Sequence, residues 1–156
     1  MDQTPALTHQ QAYDLMAGMP TPEAVRRMED MLLQLPQIDL QTSALVHGGM
    51  AARTIMIPAG TVLTGAQTNI DNLCVLFGDI TVTTDAGPQR LTGFHVLPAA
   101  KGFKRAGVAH ADTWWVTIHR TDLTDPEAIE REMTDEADRL QTNTLRLAQR
   151  TSEAIE

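Results

Sequence analysis

Asn72-Leu73-Cys74-Val75-Leu76-Phe77-Gly78-Asp79-Ile80-Thr81-Val82-Thr83-Thr84 is the stretch whose reading decides the fold. Val75 and Phe77, then Ile80 and Val82, recur with the period of two that marks a strand. Gly78-Asp79 interrupts the pattern, so two strands are expected, near 72–77 and 79–84. Asp85-Ala86-Gly87-Pro88 follows as a hairpin turn, rich in the residues that tight turns favour. The same texture extends both ways. From Ile38 to His119 the chain is rich in Val, Ile, Thr and Leu, and Gly, Pro or Asp breaks it every 6–12 residues. Further strands are expected near 43–46, 51–57, 61–65, 89–91, 94–97, 104–109 and 113–119. Eight or nine short strands at this spacing predict a β-sandwich or small barrel.

Helices flank this region. Thr8 with Gln11 fits a capping box for a helix over 8–17, stopped by Gly18 and Pro20. Thr21 as N-cap and Pro22 at the first helical position open a second helix over 22–34. Its apolar side is Val25, Met28, Met31, Leu32 and Leu35, and Leu35-Pro36 ends it. Thr124-Asp125-Pro126-Glu127 opens a C-terminal helix, where Met133, Leu140, Leu147 and Ala154 fall seven apart in an acidic background. This thin stripe allows two outcomes. Its first half packs on the barrel and its end frays, or the tail projects and docks on another chain. The parts are therefore an N-terminal helical segment (1–37), a β-barrel (38–122) and a C-terminal helix (123–156).

Composition limits the function classes. The chain has 156 residues, enough for one domain with an ordinary core, and a net charge of −8. The ends carry the acid: residues 1–40 have net −4, 41–120 net +2 and 121–156 net −6. An acidic chain with 4% aromatics is not expected to bind nucleic acid directly. Cys74 is alone, which excludes an intrachain disulfide and a CxxC site. No apolar run has membrane-span length, and Met1-Asp2-Gln3-Thr4-Pro5 does not open a signal peptide. A protein made in a cytoplasm, with no membrane partner, is expected.

Several stretches stand out together: Pro58-Ala59-Gly60-Thr61-Val62-Leu63-Thr64-Gly65, Leu73-Cys74-Val75-Leu76 into Gly78-Asp79-Ile80-Thr81-Val82, Leu91-Thr92, Lys104-Arg105, His110-Ala111-Asp112-Thr113 and Thr117-Ile118-His119-Arg120-Thr121-Asp122, with the segment holding Leu35-Pro36-Gln37 before them. In combination they resemble the small cupin-like proteins encoded by tailed phages and prophages. The resemblance spans roughly two thirds of the chain. It implies a cupin-type β-barrel of jelly-roll topology and a phage or prophage origin. With the helices read above, the expected fold is mainly β, a cupin-type jelly roll or small β-barrel with N-terminal helices and a C-terminal acidic helix. Metal-binding relatives carry histidine, glutamate and histidine after the glycine. Aligned from Gly65 to Leu73, those positions are Thr68, Asp71 and Asn72 here, and the later histidine falls at about Arg105. Threonine, asparagine and a guanidinium are poor metal ligands, so no metal and no other cofactor is expected.

The remaining candidates divide between two function classes. Arg53, Arg90, Lys104 and Arg105, with His110, give the middle of the chain its basic balance. They converge on an anionic metabolite or nucleotide signal in a barrel mouth, or they are solvated strand ends and ion-pair partners. Trp114 and Trp115 point to opposite faces of one strand, one into the core and one free for a subunit contact. Trp114, Met133, Leu140 and Leu147 are the candidate interaction residues. Cys74 reads as a small buried hydrophobe, and no catalytic set is found. The first expectation is a non-enzymatic, metal-free structural or assembly protein of the virion. It is made in the host cytoplasm, forms homo-oligomers and contacts other phage particle proteins. The alternative is a small-molecule binding protein or cupin-type enzyme.

Overall fold

The computed structural model describes residues 8–17 and 21–140. Two helices come first, α1 (His9–Ala17) and α2 (Pro22–Leu32). Seven strands follow: β1 (Gln41–His47), β2 (Met50–Ile57), β3 (Val62–Thr64), β4 (Asn72–Thr84), β5 (Gly87–Ala99), β6 (Ala106–Ala109) and β7 (Thr113–Arg120). A short helix α3 (Pro126–Met133) and a 3-10 turn (Ala137–Arg139) close the described chain. The caps act locally as their residue types dictate. Thr8 and Gln11 exchange reciprocal bonds, with Gln11 N–H donating to Thr8 Oγ1 at 3.1 Å and Thr8 N–H to Gln11 Oε1 at 2.8 Å. Thr21 Oγ1 accepts from Ala24 N–H, and Asp125 Oδ2 from Ala128 N–H. Among the described residues no helix is long and apolar enough to cross a membrane.

The protein is mainly β, and all pairings are antiparallel in one curled sheet of order β1-β2-β7-β4-β6-β3, with β5 on β4. Two expectations change here. The strands read separately at 72–77 and 79–84 are one strand, β4, and those at 89–91 and 94–97 are one strand, β5. Gly78 bends β4 instead of ending it. It pairs with Gly93 across the ladder, so the β4–β5 hairpin flexes where both strands lack a side chain. Before the bend, Leu73–Phe77 pairs with β7; after it, Ile80–Val82 pairs with β6. One hairpin thus serves both walls, and the sheet curls into a half-barrel.

Each face of the sheet has its own core. Inside the curl, Ile57, Leu76, Ile80, Val82, Leu91 and Ala109 pack together, with Trp115 and Leu97 against them. On the outside, Ala12 and Met16 of α1 and Val25 and Met28 of α2 cover Ala106 and Val108 of β6. Helix α1 also reaches β5. Beyond it the described residues leave the outer face of β5-β4-β7-β2 uncovered in three rows set by the register: Phe94-Phe77-Trp114-Met56, Val96-Val75-Val116-Thr54 and Pro98-Leu73-Ile118-Ala52.

The C-terminal reading is corrected between Met133 and Leu140. Helix α3 ends at Met133 because Thr134 is extended, with φ −150° and ψ 143°. Thr134 Oγ1 donates to the Gln67 carbonyl at 2.6 Å, which pulls the chain onto the sheet. Met133 and Leu140 are therefore not on one continuous helical stripe. Leu147 and Ala154 lie outside the described residues.

Candidate functional site

A cavity of about 810 Å³ opens in the concave side of the half-barrel. Its walls are inward-facing residues of β2, β4, β6 and β7, among them Ile55, Ile57, Ile80, Val82 and Trp115. The exposed linker between α2 and β1, residues 33–40, borders it. Strand alternation explains the lining. Ala51, Arg53, Ile55 and Ile57 point inward from β2, and Thr113, Trp115, Thr117 and His119 from β7. A charged residue at an inward position of a half-barrel strand sits in the cavity by geometry.

Of the five basic candidates, two reach this cavity. Arg53 lies on its wall, with Nε 4.0 Å from Glu130 Oε1 of α3. Arg105 enters from the segment before β6. Its guanidinium carbon lies 4.5 Å from the centre of the Phe103 ring, and Nη1 donates to the Thr83 carbonyl at 3.1 Å. Arg105 has no carboxylate partner within ion-pair distance among the described residues. Burial pushes its pKa below the usual guanidinium range, partly offset by Cys74 and Asp85, yet arginine stays a cation. Burial likewise raises the neighbouring Cys74 thiol and outweighs the pull of Arg105. Cys74 is therefore a neutral thiol on the cavity wall, not an activated nucleophile.

The other three are elsewhere. Arg90 is on the outer face in a two-point contact with Asp79, Nε to Oδ1 at 2.9 Å and Nη2 to Oδ2 at 2.7 Å. His110 Nε2 is 2.7 Å from Thr81 Oγ1, beyond the end of β6. Lys104 is fully buried and locked by Glu29, Glu136 and the Gly65 carbonyl, each 2.8 Å from Nζ. Two of the candidate interaction residues also face inward. Met133 is buried against the cavity and Leu140 lines it, whereas Trp114 stands on the outer face at 47% exposure.

The aligned metal positions hold a different chemistry. Thr68 and Asn72 line the cavity, and Asn72 spends its amide hydrogens on Thr68 Oγ1 (3.4 Å) and the Ile70 carbonyl (3.2 Å). Asp71 turns away to accept from Lys101 N–H at 2.9 Å. Among the described residues no three His, Cys, Asp or Glu side chains gather to hold a metal ion. A donor set of threonine, a committed amide and a fixed cation does not fit a transition metal. It fits an anion, because Arg105 supplies charge and donors where a metal would need lone pairs.

Sequence reasoning missed the lip and the lock. The linker 33–40 gave no sign that it borders a cavity. The partners of Lys104 lie 75 residues before it and 32 after it, a separation that local patterns do not reveal. The inward alternation of Arg53 with Ile55 and Ile57 was the available signal for its place.

No family model and no curated protein matches the chain. Solved structures do. A cupin superfamily protein from Desulfitobacterium hafniense is 17% identical, over 59% of this chain and 86% of its own, with a TM-score of 0.46. KdgF from Halomonas sp. is 17% identical over 53% and 81%, with a TM-score of 0.45. A cupin domain from Schizosaccharomyces pombe is 25% identical over 56% and 67%, with a TM-score of 0.43. At these scores they are likenesses of outline to cupin proteins.

Proposed function

We propose that the half-barrel is a binding pocket for a small anionic ligand with an apolar body. The observation that carries this is Arg105: a guanidinium drawn into an apolar cavity with no carboxylate partner among the described residues. Desolvating a cation without a counter-charge is costly, and an anion from solution removes that cost. Arg53 is the second donor. The apolar walls suit the body of a carboxylate- or phosphate-bearing metabolite. Neutral Cys74, Asn72 and Thr117 supply shape and weak polarity, and no reaction is assigned to them.

The test is a thermal-shift screen with aliphatic and aromatic carboxylates, sugar phosphates and nucleotides, followed by calorimetry on the anion that raises Tm most. Arg105→Gln is expected to weaken that anion 10- to 100-fold, the worth of a charge-assisted pair in a pocket, and Arg53→Gln by about tenfold. If no anion stabilises the protein, or if Arg105→Gln binds as wild type, the pocket reading is dropped.

A second reading, the assembly role in a phage particle, is supported by a different observation, the uncovered apolar rows of the outer face. Its test is the presence of the chain in purified virions of a lysogen that encodes it. Absence from the particles would remove this reading and leave the pocket untouched.

A further inference from the structure

The outer rows carry an inference independent of the pocket. Phe77 is 60% exposed, Phe94 66%, Val96 56%, Leu73 49% and Trp114 47%. Across β5, β4, β7 and β2, with β1 extending the rows by Gln41, Ser43 and the 67% exposed Leu45, at roughly 4.8 Å per strand and three rows along the strands, the face measures roughly 24 by 20 Å. Its flat area is about 480 Å², within the range of about 300–600 Å² for the largest patch on a monomer. Two such faces together bury about 1,000 Å² before side-chain relief is counted, which reaches the lower bound of a specific interface. We propose that the occupant of this face is a second copy of the chain, packed face to face about a two-fold axis.

Charge and shape select that occupant. The three rows contain no charged side chain, while the chain as a whole carries −8. The long-range repulsion between two copies is screened within about 8 Å at physiological salt, and the neutral face adds no buried like-charge contact. A basic partner attracted by the acidic chain would find nothing to pair with here. An anionic lipid surface repels the chain, and the cations bordering the face, Arg120 beyond Ile118 and the Asp79-bound Arg90, fall short of the basic cluster that would offset that. The rows are also self-complementary. The first is tall, with Phe94, Phe77 and Trp114; the third is lower, with Pro98, Leu73 and Ile118. A two-fold axis in the interface, along the central valine row, lays the tall row of one copy over the lower row of the other. It also sets Val75 opposite Val75 of the second copy. Isologous pairing of this kind closes at two chains.

The experiment is sedimentation velocity on the full chain from 1 to about 100 µM, a range that brackets a micromolar dimer. The wild type is expected to sediment as two chains. Phe77→Glu, at an exposed position, is expected to sediment as one chain with unchanged far-UV circular dichroism, and Gln89→Glu, off the face, as two. Val75→Cys adds no charge and guards against misfolding of the charged variant. With a short bismaleimide, whose reach suits the roughly 10 Å between packed sheets, it is expected to give a two-chain adduct that the wild type, with Cys74 buried, does not give. A wild type that stays monomeric at the top concentration overturns the proposal, whether or not it then binds vesicles or another protein. A dimer that survives Phe77→Glu without the Val75→Cys cross-link overturns it too, because the contact then lies on another face. Neither result depends on whether an anion binds the cavity.

Discussion

Lys104→Met is expected to destabilise the protein by about 3–5 kcal/mol, the cost of breaking a buried ion pair by removing one partner. For a domain of this size that is a fall in Tm of roughly 10–20 °C. Lys104 is 1% exposed. Its three ammonium donors meet three acceptors: Glu29 Oε2, Glu136 Oε2 and the Gly65 carbonyl. These acceptors come from α2, the loop after β3 and the turn after α3, so one side chain joins both helical ends to the half-barrel. Methionine fills the volume and leaves Glu29, 8% exposed, and Glu136 facing each other without their shared cation. Arg139 and Arg26 still reach them, at 3.0 Å from Glu29 Oε1 and 2.9 Å from Glu136 Oε1, which keeps the loss below that of an isolated charge. The triple change Lys104→Met, Glu29→Gln and Glu136→Gln is expected to recover a large part of the loss, because no buried charge is then stranded. Urea titration of the three proteins reads this directly. Equal stability of Lys104→Met and wild type would mean that the network does not hold the ends.

The same network sets the acid limit of the fold. Burial alone would raise the Glu136 carboxyl, but hydrogen bonds from Lys104, the Gln67 backbone and Arg26 outweigh it and hold the pKa at about 2. The folded value lies below the unfolded one. Its contribution is therefore complete above the ordinary carboxylate range and is lost as the pH falls toward about 2. Tm is expected to drop between about pH 5 and pH 2, and to drop less steeply in Glu136→Gln. Equal slopes for the two proteins would assign acid unfolding to other carboxylates.

How far the sequence carried this reading depends on the range of each signal. Stretches rich in Val, Ile, Thr and Leu, broken by Gly, Pro or Asp and alternating in places, put an expected strand in each strand region, since both signals are local. The caps at Thr8, Thr21 and Pro126 placed the helices for the same local reason. Strand number was miscounted at Gly78-Asp79. A glycine reads as a break along one strand, and that a second glycine, Gly93, faces it is a fact about two strands. The stripe of Met133 and Leu140 suggested one helix. The competing bond from Thr134 to the Gln67 carbonyl, 67 residues away, won instead. The basic residues show the same limit. Arg53 and Arg105 stood among five basic candidates for an anion or for ion pairs, and nothing local distinguished them from Lys104, whose acids come from distant segments. The unbroken apolar run Leu73–Phe77 did hold a clue to the outer face. A strand with solvent on one side should alternate, and one apolar on both sides is covered on both.

Gly78→Ala is expected to cost about 3–5 kcal/mol, more than its one added carbon suggests. A Cβ at Gly78 would lie 2.4 Å from Thr113 Oγ1 and 2.7 Å from Thr113 Cα, at a φ of +154° that residues with side chains rarely adopt. The hydroxyl cannot turn aside without loss, because Oγ1 accepts from Asp79 N–H at 3.1 Å and donates to the Ala111 carbonyl at 2.9 Å. The Cα cannot move without moving β7, since Thr113 is fully buried and pairs with Ile57. Gly93 across the ladder is the internal control. Its φ is +84° but nothing lies within 4 Å of an added Cβ, so Gly93→Ala is expected to cost only the backbone strain, about 1–2 kcal/mol. Thr113→Ala should not rescue Gly78→Ala, because the clash with Cα stays. Urea midpoints of the two glycine variants separate steric contact from backbone preference. Equal losses would show that the close approach of β4 to β7 relaxes freely. The unequal losses expected here would make that approach the fixed point of the curl. Gly78 is where β4 passes from β7 to β6, and so where the wall of the cavity turns away from the open outer face.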